Sequence, residues 1–267
     1  KYFDLSCIIM SMSFIVFILG TIVGSFLNVC IYRLPREKSI IFPRSFCPSC
    51  EKPIKFYDNI PIISYLYLMG KCRHCGVRFS VKYPIVEFIT ASLFTLLFLT
   101  IGLTIELPVL LFFVSILIVI SFIDLEFQII PDILSLGGIV AGFLLSFVRT
   151  NFSVLNSVYG IFLGGGILFA IAYGYQLLRK KEGMGGGDIK LLGMIGSFCG
   201  IKGVVFSLML GSLIGTIVGI PLMFIKGKKE GVGYAIPFGP FLSLGALIFV
   251  FAGDRIIYEF IAFLVRK

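Results

Sequence analysis

The chain has 267 residues, of which 58% are hydrophobic and only 14% charged, and its mean hydropathy is +1.05. That balance excludes a water-soluble globular domain, because several apolar runs approach or exceed the roughly 20 residues that cross a bilayer. The net charge of +9 does not point to nucleic acid, since basic residues of a polytopic membrane protein collect in its loops.

Taken in order, the sequence predicts an all-α polytopic membrane protein of about eight transmembrane helices. The first covers about residues 8–31 and is too long for the core of a signal peptide. A polar loop over 33–83 follows, with ten Lys or Arg against Glu37, Glu51 and Asp58. Further spans are expected at about 84–103, 109–123, 131–148, 154–178, 189–200, 204–225 and 237–252, with Pro131 in the first turn of the fourth. Alternating sides along this path places seventeen of the 23 basic residues on the side of the polar loop, which makes that side cytoplasmic by the positive-inside rule. Trp is absent, so Tyr and Phe must supply any interfacial belt. The expected domains are 1–32 (first helix), 33–83 (cytoplasmic loop) and 84–267 (remaining membrane helices).

Cys47-Pro48-Ser49-Cys50 and Cys72-Arg73-His74-Cys75 form two CxxC pairs in that loop. Each pair lets two thiolates reach one ion from a tight turn, and four thiolates select zinc in a closed, structural shell. Stable disulfides are disfavoured in a cytoplasmic loop. His74 is a bystander once four thiols are present. Cys7, Cys30 and Cys199 lie in apolar segments and read as small core or lipid-facing residues.

The remaining chemistry lies in acids at membrane edges, which are costly and by default functional. Gly183-Met184-Gly185-Gly186-Gly187-Asp188 leads a glycine run into one carboxylate at the start of an apolar segment. Asp124 ends another apolar span on the same side. Two such carboxylates can share a proton and activate a water. Glu126 and Asp132 are close rivals to Asp124, and Lys190 or Arg179 offer Asp188 an ordinary ion-pair role. Spacing alone does not choose among Asp124, Glu126 and Asp132.

The sequence resembles the type IV prepilin peptidases, aspartic proteases of the GxGD kind. Six stretches carry the likeness in order: Gly24-Ser25-Phe26-Leu27-Asn28-Val29 with Tyr32-Arg33-Leu34-Pro35; the paired CxxC loop; Tyr83-Pro84 with Glu87; Ile123-Asp124-Leu125 with Ile130-Pro131-Asp132; Gly185-Gly186-Gly187-Asp188 with Lys190; and Pro237-Phe238-Gly239-Pro240-Phe241. The resemblance implies Asp124 and Asp188 as the catalytic pair, with Gly185, Gly187, Lys190 and Asp132 in support. It implies removal of a basic leader from prepilins and pseudopilins at the cytoplasmic face of a bacterial inner membrane. It also implies methylation of the new N-terminus by S-adenosylmethionine. No glycine-rich turn of a Rossmann unit is present, and Asn28 and Glu87 are contributors to the methyl-donor site by resemblance and position only. For Glu87 the competing reading is a cap at the start of the second span. The other readings are a GxGD protease with different substrates, a proton-coupled transporter using the two aspartates, and a scaffold acting through its zinc loop.

Overall fold

A computed structural model describes residues 2–179, 185–230 and 237–265. Gly183 and Met184 of the glycine run, and the basic Lys180 and Lys181, lie outside these residues. The described chain is helical, with two isolated β-bridges and no strand among the described residues. Its elements are α1 (Tyr2–Arg33), a short α2 (Ile63–Tyr67), α3 (Lys82–Ile101), α4 (Glu106–Phe127), α5 (Asp132–Leu145), α6 (Val154–Arg179), α7 (Gly186–Glu230), α8 (Gly239–Ile248) and α9 (Asp254–Val265).

Among the described residues five helices, Cys7–Arg36, Lys82–Ile101, Glu106–Phe127, Val154–Arg179 and Gly186–Pro221, are long and apolar enough to cross a membrane. The all-helical membrane class is therefore as expected, while five helices of full crossing length among the described residues do not by themselves account for the eight expected spans. Helices Asp132–Leu145 and Gly239–Gly253 are apolar but shorter than a straight span needs. The two spans expected on either side of Gly200 are two helical stretches of α7 that meet at a kink, where Gly200 leaves helical geometry at φ +65° and ψ −166°. Only glycine takes that backbone without strain. Pro131 precedes α5 as its N-cap, so the helix starts at Asp132 and not at the proline.

The chain divides into two compact units, Lys1–Val119 and Ile120–Lys267, with the boundary inside α4. In the first unit α1 packs on α3 through small residues. A Cβ at Gly20 would lie 2.5 Å from the Ala91 Cα, and one at Gly24 2.7 Å from the Glu87 Cα. Such backbone approach is how membrane helices associate when lipid offers no hydrophobic contrast. In the second unit α6 and α7 meet in the same way, with Gly160 and Gly196 so close that a Cβ on either would overlap the other's carbonyl. The core beside this contact is Leu168, Leu191, Leu192, Met194, Ile195 and Phe198, all essentially inaccessible. The N-terminal turn of α7, which carries Asp188, is thereby fixed on a rigid element.

Candidate active site and metal centre

Asp124 lies in the last turn of α4, one turn before the helix ends at Phe127. Its side chain is buried, with 5% of its surface exposed. One carboxylate oxygen, Oδ2, accepts a hydrogen bond of 2.9 Å from the backbone N–H of Gly239, the first residue of α8. A burial this deep costs a carboxylate much of its hydration, and the Gly239 N–H restores part of it. Gly239 must be glycine for this contact, because a Cβ would stand 2.6 Å from Oδ2.

Asp188 is the third residue of α7, and its N–H bonds to the Gly185 carbonyl at 3.2 Å. A helix N-terminus favours a negative charge there. Asp188 follows Gly187, which meets the Ile130 side chain that also reaches Gly239 at the Asp124 carboxylate. Both acids belong to the second unit. Ile130 stands between the two backbones that frame the pair: its Cβ would be 3.0 Å from a Cβ on Gly187, and its Cδ1 3.3 Å from one on Gly239. Gly185 is exposed, and a Cβ there would be 4.0 Å from Asp188 Oδ2.

The rival acids are placed elsewhere. Glu126 is exposed. Asp132 is also exposed and holds Lys190 at 2.6 Å, tying the first turn of α5 to the first turn of α7. Lys190 is thus the partner of Asp132, and the ordinary ion-pair role proposed for it beside Asp188 is not what it serves. Gly239 and Ile130 had no role assigned from the sequence. The turn signal Pro237-Phe238-Gly239-Pro240 marks a special backbone position, but nothing in it names a partner 115 residues away.

In the first unit the four cysteines converge. The Sγ atoms of Cys47, Cys50, Cys72 and Cys75 all lie within 4.8 Å of one another, and those of Cys47 and Cys75 are 3.8 Å apart. A tetrahedron with Zn–S bonds near 2.3 Å has edges of about 3.8 Å, so the thiols fit a zinc ion. The two knuckles are built alike. Cys47 N–H bonds to Lys52 O and Glu51 N–H to Cys47 O; Cys72 N–H bonds to Val77 O and Gly76 N–H to Cys72 O. The fifth residue of each turn is left-handed, Glu51 at φ +56° and Gly76 at φ +70°. Backbone N–H groups of Cys75 and His74 aim at the Cys72 sulfur and draw that thiol down to about 7, which favours the thiolate that a metal requires. His74 is exposed and outside the cluster. Asp58 accepts both Nε (2.9 Å) and Nη2 (2.6 Å) of Arg73, so the second knuckle is clamped to the turn Phe56–Asn59. The guanidinium holds the Asp58 carboxyl below the usual carboxylate range.

Asn28 ties α1 to the start of α3, and Glu87 ties α3 to the loop. Asn28 Nδ2 donates to the Tyr83 carbonyl at 3.0 Å, and Glu87 Oε2 accepts the Ile62 N–H at 2.7 Å. Glu87 is buried and five residues past the start of α3, whose N-cap is Val81, so it is not a cap of that span. Ile62 takes φ +61°, ψ −52°, with Ile63 N–H bonded back to Pro61 O at 2.6 Å. This tight turn is strained for a β-branched residue, by about 1–3 kcal/mol. Arg33, also buried, donates to the carbonyls of Ser39 (2.9 Å) and Pro43 (2.6 Å) and pins the start of the loop. The sequence marked Arg33 as part of a motif but not as an anchor.

Comparison with known proteins finds matches over both units. Residues 18–101 match the bacterial peptidase A24 N-terminal domain, and residues 111–220 match the type IV leader peptidase family. Proteins named prepilin leader peptidase/N-methyltransferase are similar along nearly the whole chain. The one from Aeromonas hydrophila is 34% identical over 91% of both chains, and that from Legionella pneumophila 37% identical over 90% of this chain and 91% of its own. The Pseudomonas aeruginosa protein is 32% identical over 92% of each. No solved structure matches. The acid pair lies inside the second matched region and the four thiols inside the first, and the chain belongs to the type IV leader peptidase family.

Proposed function

We propose that the chain is a membrane aspartic endopeptidase that removes the leader of type IV prepilins and pseudopilins, with Asp124 and Asp188 as its catalytic pair, and that it methylates the new N-terminus. The observation that carries the reading is the Asp124 carboxylate, buried and fixed by the Gly239 N–H, with Ile130 packed against both Gly239 and the Gly187 that precedes Asp188 at the start of α7.

The chemistry follows from two carboxylates sharing one proton. The ionised member takes a proton from a water, which attacks the scissile carbonyl; the protonated member donates to the carbonyl oxygen and then to the leaving amine. Asp124 is held at one oxygen, leaving the other for this work. Gly185 and Gly187 keep side chains away from the mouth of the pair, where an extended peptide must lie. Lys190 and Asp132 act in support by fixing the start of α7 against α5. Pairing with Lys190 leaves Asp132 unsuited to the role of second acid.

Cys47, Cys50, Cys72 and Cys75 would hold a zinc ion in a closed shell that folds the loop and has no open position for a substrate. Methyl transfer to the new N-terminus uses S-adenosylmethionine as donor. Asn28 engages the backbone of Tyr83 at the start of α3 and Glu87 that of Ile62 in the loop, so they serve that half of the reaction by positioning the helix pair and the loop on it. The membrane is the bacterial inner membrane, with the pair at its cytoplasmic face, a placement supported by the basic loops on that side.

The test is leader release from a synthetic prepilin in lipid, followed by mass spectrometry. Asp124→Asn and Asp188→Asn each lower the rate by at least 10²–10⁴-fold, the range that general acid–base groups supply. With S-adenosylmethionine the wild-type product gains one methyl mass. A wild-type protein that leaves the prepilin intact would sink the reading.

A further inference from the structure

The loop of residues 33–83 does not only stand above the two helices that carry it. Ile62 is bonded to Glu87, and a Cβ on Gly24 would be 2.7 Å from the Glu87 Cα. Glu87 comes five residues after the start of α3, and Gly24 nine residues before the end of α1. At 1.5 Å per residue these are depths of about 7 and 13 Å along the two helices. The chain therefore folds back onto the helix pair near the ends at which the loop joins it, and α2 starts from that point. Its side chains at Ile63, Leu66 and Tyr67, spaced i, i+3, i+4 on one face, are 64%, 69% and 75% exposed, and Met69 just beyond is 81% exposed. The opposite face is tied down: Ser64 is buried, donates to Tyr57 O and accepts from Ile60 N–H. Left-handed non-glycine residues, Ile62 and Met69, flank the helix on both sides. Such strain is retained where the orientation of a segment matters.

We propose that α2 is an interfacial helix, its Ile63, Leu66 and Tyr67 face lying in the headgroup and acyl-chain boundary of the leaflet at which α1 ends and α3 begins. Three observations select lipid over a protein partner. The Ile62–Glu87 bond holds the start of α2 against two helices long and apolar enough to cross a membrane, close to where they leave it. The face is apolar with a Tyr at its edge, the composition of an interfacial segment. The loop that carries it has ten basic residues against three acidic ones, a balance suited to anionic headgroups. The buried carboxylate of Glu87 then sets how deep the loop sits, and through the Arg73–Asp58 clamp the zinc knuckles share that reference.

The chain has no Trp, so a single introduced Trp reports alone. The full-length, zinc-loaded Leu66→Trp protein is reconstituted sparsely in vesicles of phosphatidylcholine and phosphatidylglycerol. Matched vesicles contain lipid brominated either near the glycerol or near the chain terminus. The expected result is blue-shifted emission, quenched severalfold more by the shallow bromines than by the deep ones and little by iodide in the buffer. Met69→Trp repeats the measurement at a second site, and adding Ile63→Asn, Leu66→Gln and Tyr67→Ser to it abolishes the lipid quenching while zinc content stays the same. Emission like that of Trp in water, open to iodide and untouched by brominated lipid at both sites, overturns the proposal. So does blue-shifted emission without lipid quenching that fades as the protein is diluted in the membrane, since a second copy would then cover the face.

Discussion

Gly239→Ala is the sharpest single perturbation of the proposed site, because it adds one methyl and removes no polar atom. That methyl would stand 2.6 Å from Asp124 Oδ2 and 3.3 Å from both Asp124 Cγ and Ile130 Cδ1, where real contacts begin at 3.0–3.4 Å. The carboxylate must retreat by about 0.4–0.8 Å. Its 2.9 Å bond from the Gly239 N–H then stretches past the useful range. A catalytic group is effective only within about 0.5 Å of its working position, and a 1 Å misplacement costs about 10²-fold. The expected loss is about 10- to 100-fold in kcat for leader release, with KM little altered. The overpacked site also loses about 1–3 kcal/mol of stability. Initial rates per folded enzyme, with Gly137→Ala as the comparison, separate the two effects, since a Cβ at Gly137 meets nothing within 4 Å. Wild-type turnover by Gly239→Ala would refute the claim that Asp124 works from the position in which Gly239 holds it.

Three other outcomes test the zinc knuckles, the Arg73–Asp58 clamp and the contact of α6 with α7. Gly76→Ala meets no atom but must keep φ +70°. It weakens zinc retention in a chelator competition by roughly fivefold, about 1 kcal/mol, and Glu51→Gly strengthens it by a similar factor at the matching turn. Because Arg73 lowers the Asp58 carboxyl, the clamp between the knuckle and the turn Phe56–Asn59 contributes fully above the ordinary aspartate value and is lost as pH falls through the lowered one. Amide protection in residues 56–67, measured against the intrinsic exchange rate at each pH, therefore falls in acid, and Asp58→Asn removes that dependence. Gly196→Ala forces α6 off α7 and costs about 1–3 kcal/mol, seen as a lower thermal midpoint and a lower yield of folded protein.

What could be read from the sequence is what depends on local order. The CxxC spacing anticipates the thiol cluster because each pair is one turn, and the glycine run anticipates Asp188 near a helix start because glycine and acid both mark that position. The break at Gly200 was legible for the same reason, as an interruption in an apolar run. What could not be read depends on pairing across the chain. Gly239 finds Asp124 only through the fold. Lys190 has Asp188 two residues away yet bonds Asp132 from another helix. Glu87 looks like a helix-entry residue, but its carboxylate holds the strained turn at Ile62, 25 residues away. The number of spans is likewise not a local property, since α5 and α8 fall short of a straight crossing by length alone.

The most direct test of the central claim is a double-variant cycle on leader release with Asp124→Asn, Asp188→Asn and both together. Groups that act as one unit give grossly non-additive losses. The account predicts that the double variant is no slower than the slower single one. Losses that multiply, or a single variant that cleaves at the wild-type rate, would contradict it.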